Sequence, residues 1–324
     1  MPKFNPAELP SLAKRPYIVT GATSGIGYYT ALHLAAHSAH VYICARSTAK
    51  GDTTRASILE SHPNAQISVL VMDHTKLSTI VAAAKEFCSK ESELFGLVNN
   101  AGIMATPFKM TDDGYEEQFQ TNHLAHWLFT HHLLPTLQST AARYAAQKGA
   151  VRIVNLSSAG HYSAPTGGIQ FDDTTCKDAS PMTRYGQSKL ANVLHAKMLH
   201  RAYGPSTTTT TTTASSPAGE IWLSTVHPGL VRSGLGDKAE AEGMFKLAAK
   251  VLGWVGQVVD SDEGSWTSLH CVAGPGMKRE ECGRYWQRMA DPNGWQSANA
   301  KDEGLAERLE EWTKGEMERG GWLE

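Results

Sequence analysis

The chain has 324 residues, 41% of them apolar and 19% charged, with a formal net charge of −2. That composition supports a large core, offers no basic field to draw in nucleic acid or an anionic membrane, and holds no apolar run near the roughly 20 residues of a bilayer-spanning helix. Its five cysteines, Cys44, Cys88, Cys176, Cys271 and Cys282, form no C-x-x-C pair, as expected of reduced thiols in a cytoplasmic protein.

Residues 1–15, with Pro2, Pro6 and Pro10, are expected to form a tail that is neither a secretory signal nor a membrane anchor. From there, strand-like runs at 17–20, 39–45, 66–72, 94–99, 150–157 and 221–227 alternate with helical ones. The alternation predicts an α/β fold, a Rossmann-type doubly wound parallel sheet with helices on both faces, occupying residues 16–290 as one domain. Ligands of such sheets bind at the carboxyl ends of the strands, where Gly21, Arg46, Asp73, Asn100, Ser158 and His227 all fall.

After the first strand comes Gly21-Ala22-Thr23-Ser24-Gly25-Ile26-Gly27, then a helical pattern. Glycines in a strand-to-helix turn let the backbone approach a ligand, and the helix N-terminus presents free N–H groups to a pyrophosphate. The spacing is Gly-x3-Gly-x-Gly rather than Gly-x-Gly-x-x-Gly. Four histidines, His123, His126, His131 and His132, share one predicted helix, but no carboxylate or thiolate completes a metal-ligand spacing, so no metal is expected and a helix face or subunit contact is. Further on, Tyr185-Gly-Gln-Ser-Lys189 places a tyrosine and a lysine four residues apart, on one helix face. An ammonium beside a phenol favours the phenolate, which predicts a lowered tyrosine pKa and a group able to exchange a proton with an alcohol or carbonyl oxygen. Residues 204–220, with seven consecutive threonines from Thr207 to Thr213, are expected to form a surface loop outside the chemistry.

These motifs together resemble the short-chain dehydrogenase/reductase family along about residues 15–290. Thr20 to Gly27 looks like that family's cofactor turn, and Asn99-Asn100-Ala101-Gly102 like the motif beneath the adenosine half. Asn122, Ser158, Tyr185 and Lys189 fall where the family has its catalytic tetrad, and His227-Pro228-Gly229 resembles its element after the sixth strand. The look is closest to retinol-dehydrogenase-like members and fungal secondary-metabolism reductases, given Arg152 to Ser158 and the lengthened segment 159–184, which must fold over or beside the site. Ser233 stands where many members have threonine, and with Val231 is expected to face the nicotinamide.

The resemblance implies a nicotinamide cofactor held by Gly21, Thr23, Ser24, Gly25, Ile26, Gly27, Arg46, Asp73, Asn99, Asn100, Ala101, Gly102, Tyr185, Lys189, Pro228, Gly229, Val231 and Ser233. Ala45 occupies the place of the acid that NAD-dependent members use, and Arg46 offers a cation to a 2′-phosphate, with Lys50 nearby, so NADP(H) is expected. Asp73 is expected at the adenine, although an aspartate capping the next helix would look the same. Tyr185 would supply a proton to a substrate carbonyl, Ser158 would orient the oxygen, Lys189 would bind ribose, and Asn122 would position a relay water.

A helical stripe of Met244, Phe245, Ala248, Val251, Leu252 and Val255 beside Trp254 marks 230–260 as a lid, and with His161 and Tyr162 suggests a sizeable apolar substrate of polyketide, terpenoid, steroid-like or retinoid type. Residues 291–324 read as a helical extension that packs over the site or against a second subunit of a homo-oligomer, helped by Trp286, Trp295, Trp312 and Trp322. Two other readings stay open: a non-redox step such as dehydration, epimerisation or cyclisation, and a non-catalytic NADP(H)-binding regulator.

Overall fold

The structure, a computed structural model, describes residues 4–205, 219–232, 235, 258–288 and 290–323. The threonine tract, Ser233 and the stripe from Met244 to Val255 lie outside the described residues. Seven parallel strands form the central sheet in the order β3-β2-β1-β4-β5-β6-β9. They are β1 (Pro16–Val19), β2 (His40–Ala45), β3 (Gln66–Val71), β4 (Gly96–Asn99), β5 (Val151–Leu156), β6 (Ile221–Val226) and β9 (Tyr285–Trp286). Two short strands, β7 (Leu230–Val231) and β8 (Val258–Val259), pair separately. The six longer strands of the sheet match the expected alternation within two residues at each end. β9 was not foreseen, because two residues carry no periodicity.

Ile18, Val19, Val41, Ile43, Leu97, Val98, Ile153, Val154, Leu223 and Val226 are all buried. A parallel sheet covered on both faces asks for such continuous apolar runs rather than alternation. The longer helices of the described residues are α1 (Gly25–Ala36), α2 (Thr48–Ser61), α3 (Leu77–Lys90), α4 (Ala125–Arg143), α5 (Pro181–Tyr203), α6 (Ser261–Ala273) and α7 (Glu303–Arg319). Several starts are written in the sequence: Ser180 precedes Pro181 and accepts the Thr183 N–H at 3.1 Å, Asp260 accepts that of Glu263 at 2.9 Å, and Asp302 that of Leu305 at 2.9 Å. β1 and β4 are neighbours at the point where strand order reverses, so the ends of β1, β4 and β5 open on one crevice.

Two features bend this frame towards the crevice. Before α4, Gln120–Leu124 form a π-helical turn, which places Asn122 where a regular helix would not. The segment 159–184 begins as a 3-10 turn, Ala159–Ser163, and lies against α5, where a Cβ on Gly186 would come within 2.5 Å of the Ala164 nitrogen. α7 packs along α5 through buried Leu305, Ala306 and Leu309, with His195 Nδ1 meeting Glu310 Oε2 at 3.2 Å and Lys197 meeting Glu303 at 2.9 Å. Trp286 is buried within β9, whereas Trp295 is 81% exposed. No helix of the described residues is long and apolar enough to cross a membrane.

Candidate active site

The turn after β1 is shaped by backbone crowding. Gly21 (φ +62°) and Gly25 (φ +58°) adopt left-handed conformations, and a Cβ on Gly27 would lie 2.4 Å from both the Gly21 oxygen and Asn100 Nδ2. Ser24 caps α1 without a side-chain hydrogen bond, so the first N–H groups of the helix, at Gly25 and Ile26, remain free of a side-chain acceptor. Thr23 and Ser24 stand at the surface of this turn. Asn100 braces it from below, its Nδ2 donating to the Thr20 oxygen at 2.8 Å. Asn99, one residue earlier, points into the core and donates to Thr130 at 2.9 Å and to Asn155 at 2.8 Å. Val231 reaches the same turn from the other side: a Cβ on Gly264 would touch Val231 Cγ2 at 2.8 Å and Ile26 Cγ1 at 3.3 Å. Gly229 (φ +89°) turns the chain after Pro228 against Arg288.

At the end of β2, Arg46 is exposed and makes no ion pair among the described residues. Its charge nevertheless reaches Asp73. Burial would raise the Asp73 carboxyl, but hydrogen bonds from the Thr75 N–H (3.0 Å) and hydroxyl (2.9 Å), together with Arg46, hold it below the usual range. Asp73 therefore builds the capping turn with Oδ1, while Oδ2 has no hydrogen-bond partner among the described residues.

The four residues predicted to carry the chemistry meet around Gly102 and Gly160. A Cβ on Gly102 would lie 3.1 Å from Asn122 Oδ1 and 3.3 Å from Lys189 Nζ, and one on Gly160 would lie 2.5 Å from Tyr185 Cε1 and 3.4 Å from Ser158 Oγ. Ser158 accepts the Gly160 N–H at 3.0 Å, and its hydroxyl favours the Tyr185 phenolate. Asn122 accepts the Ile103 N–H at 2.8 Å and donates to the Ile103 oxygen at 3.0 Å and to Ser188 Oγ at 2.8 Å. Its side chain thus clamps the loop after β4 onto α5. The other residues of Tyr185-Gly-Gln-Ser-Lys189 are occupied too: Gln187 holds Gln170 and Thr174 of segment 159–184, at 2.9 Å each.

One electrostatic expectation is reversed. Tyr185 is 2% exposed, and burial pushes its phenol up to about 12, with the Ser158 hydroxyl opposing. Lys189, 4% exposed, is pushed down to about 8 by the same desolvation. Its Nζ lies 5.8 Å from the Tyr185 ring centre and donates to the Leu156 oxygen at 3.2 Å. Loss of water outweighs the ammonium because burial disfavours both charged forms at once. At neutral pH the pair is phenol and ammonium, a proton donor backed by a second proton.

Two residues near this centre have a stronger tie than their sequence position suggested. His161 Nδ1 donates to the Ser158 oxygen at 2.7 Å and Nε2 accepts the Ser297 N–H at 3.1 Å, so it joins the Ser158 turn to the C-terminal segment. Tyr285 of β9 packs on the His161 ring at 5.4 Å. No signal in the sequence pointed to Tyr285. Among the described residues no group of three or more His, Cys, Asp or Glu is placed to hold a metal ion.

A family model described as short chain dehydrogenase matches residues 16–169. The chain is 41% identical over 317 residues to short-chain dehydrogenase/reductase drtF of Aspergillus calidoustus, covering 97% of each. The chain belongs to the short-chain dehydrogenase/reductase family. It is also 34% identical to human retinol dehydrogenase 12 over 294 residues, 90% of this chain and 83% of that one. Among solved structures, an uncharacterized protein from Mycobacterium Paratuberculosis superposes with a TM-score of 0.70 at 28% identity, covering 98% of each chain. This short-chain dehydrogenase/reductase is an oxidoreductase acting on alcohol or carbonyl groups, and its crevice suits a nicotinamide cofactor: the glycines leave backbone room that a Cβ would fill, and the start of α1 faces the same space.

Proposed function

We propose that the enzyme is an NADP(H)-dependent reductase/dehydrogenase interconverting a carbonyl and an alcohol on a fairly large apolar small molecule. The observation that carries the reaction is the meeting of Ser158 Oγ and the buried Tyr185 ring at Gly160, with Lys189 Nζ 5.8 Å from that ring's centre. The cofactor's nicotinamide ring would supply or receive the two electrons and one hydrogen at carbon. Tyr185 holds the proton for the oxygen, and its neutral phenol is the form that reduction requires. Ser158, fixed by Gly160 and His161, directs its hydroxyl to the same oxygen and polarises it. Lys189 spends one donor on Leu156, leaving its others for a ribose and for a relay water near Asn122.

The turn at Gly21, Thr23, Ser24, Gly25, Ile26 and Gly27 would hold the pyrophosphate, with Asn100, Ala101 and Gly102 flooring the adenosine side, Asn99 bracing them from the core, and Pro228, Gly229 and Val231 beside the nicotinamide. NADP rather than NAD is supported by an unpaired Arg46 following Ala45, since a cation there suits a 2′-phosphate and no acid is present to repel it. A bulky apolar substrate is supported by the 53% exposed Tyr162 and the exposed Trp295, two residues before Ser297 and tied through it to the Ser158 turn. It is supported too by likeness to retinol dehydrogenase 12. The five free cysteines suit a reducing compartment such as the cytoplasm.

The test is oxidation of NADPH, with NADH alongside, over bulky ketones, aldehydes and quinones, for the wild type and Tyr185→Phe. Turnover with NADPH that is weak with NADH and lost in the variant is expected. Tight NADPH binding with no turnover of any carbonyl, or full activity of Tyr185→Phe, would overturn it.

A further inference from the structure

His126 is buried, 2% exposed, yet both of its ring nitrogens are engaged. Nδ1 lies 3.0 Å from the Asn122 backbone oxygen and Nε2 lies 2.8 Å from Thr20 Oγ1. Thr20 Oγ1 in turn accepts the N–H groups of Asn100 at 2.8 Å and Ala101 at 2.9 Å. A hydroxyl has two lone pairs and one proton. Both lone pairs are taken, so the proton goes to His126 Nε2 in preference to the Val98 oxygen, 3.4 Å away. Nε2 therefore accepts, and Nδ1–H donates to Asn122. Only the neutral ring closes this circuit, because a second N–H at Nε2 would face an oxygen with no lone pair left. Burial first, then the neighbouring His74 and Lys189, keep the ring well below its usual titration range.

We propose that His126 is a positioning residue that locks the cofactor turn to the segment carrying Asn122. On one side stand Thr20, immediately before Gly21, and the Asn100–Ala101 backbone. On the other stands Asn122, whose side chain holds Ile103 and Ser188, the residue next to Lys189. No other side chain among the described residues hydrogen-bonds both Thr20 and the Asn122 backbone. The two ring nitrogens thus serve two different functions, one towards cofactor binding and one towards proton delivery. This inference rests on the oxidoreductase reading of the same crevice.

Asparagine and glutamine separate the two nitrogens, since the amide of Asn falls near Nδ1 and that of Gln near Nε2. His126→Asn keeps the donor to Asn122 and loses the Thr20 contact: the NADPH Kd, measured by fluorescence titration, is expected to rise about 10-fold with kcat nearly unchanged, the loss being one buried hydrogen bond. His126→Gln keeps the Thr20 contact: NADPH Kd is expected near the wild-type value while kcat falls about 10-fold. His126→Leu shows both changes. Equal Kd in the Asn and Gln variants, or Kd and kcat impaired in parallel in each of these two variants, would overturn the proposal. If the wild type itself turned over no carbonyl, the oxidoreductase reading would fall, and the Kd comparison would still decide the Thr20 half.

Discussion

Replacing Lys189 by methionine should make the protein more stable and nearly inactive. The Lys189 ammonium is taken from the usual 10.5 down to about 8 by burial, with no carboxylate beside it among the described residues. At about 1.4 kcal/mol per unit, the folded state carries a penalty of about 3 kcal/mol wherever the lysine is charged in both states. The sign follows: the penalty is complete below pH 8, shrinks as pH rises from 8 to 10.5 and the buried amine gives up its proton first, and vanishes above. Methionine fills a similar volume and loses the hydrogen bond to the Leu156 oxygen, worth about 1 kcal/mol. That oxygen keeps its bond from Asn192 Nδ2 at 3.0 Å, so no acceptor is orphaned. Lys189→Met is therefore expected to gain about 2 kcal/mol at pH 7 in equilibrium urea unfolding, an advantage that disappears by pH 10.5. A variant less stable than wild type at pH 7, or a gap constant from pH 7 to 10.5, would refute the reasoning. On the wild type, the rate of carbonyl reduction should fall as pH rises through about 8, where the proton behind Tyr185 is lost.

Arg46→Asp should lower kcat/KM for NADPH by about 10- to 100-fold while leaving NADH unchanged or improved, read from paired initial rates. Gly160→Ala puts a Cβ 2.5 Å from Tyr185 Cε1, and the displaced ring should cost about 100-fold in kcat with unfolding stability lowered by about 1–3 kcal/mol. Arg184 Nε and Glu116 Oε1 form a buried pair at 3.5 Å. Arg184→Leu should destabilise by about 3–5 kcal/mol because Glu116 is left uncompensated, and adding Glu116→Gln should recover much of that in urea unfolding.

The sheet was legible because β1, β2, β4, β5 and β6 are buried almost throughout and so read as largely apolar runs, while β3 at the sheet edge, only partly buried, still shows as the largely β-branched run Ile67 to Val71. β9 escaped because Tyr285–Trp286 is held by its neighbour and not by its own pattern: Val226 pairs with Trp286, and the His227 N–H reaches the Trp286 oxygen at 2.7 Å. Tyr185 and Lys189 were paired by their four-residue spacing, whereas Asn122 and Ser158 were joined to them by the family resemblance. The π-turn at Gln120–Leu124 was not legible, because nothing in those five residues alone departs from a helical pattern. The histidines looked like a helix face, and only their partners separate them: His123 and His195 face α7, whereas His126 faces Thr20.

The Tyr185–Lys189 pair shows what spacing leaves out. Four residues on a helix bring an ammonium near a phenol whether the face is wet or dry, and on a wet face the ammonium lowers the phenol. Here the face is dry, and the larger quantity is the loss of water by each group. That loss moves the two pKa values towards neutral forms, the phenol upward and the ammonium downward. The same burial that costs stability at Lys189 keeps a proton on Tyr185 at neutral pH and brings the proton behind it within reach of physiological pH. Stability and proton delivery are therefore opposed at one residue, so a substitution at Lys189 that restores the first must remove the second.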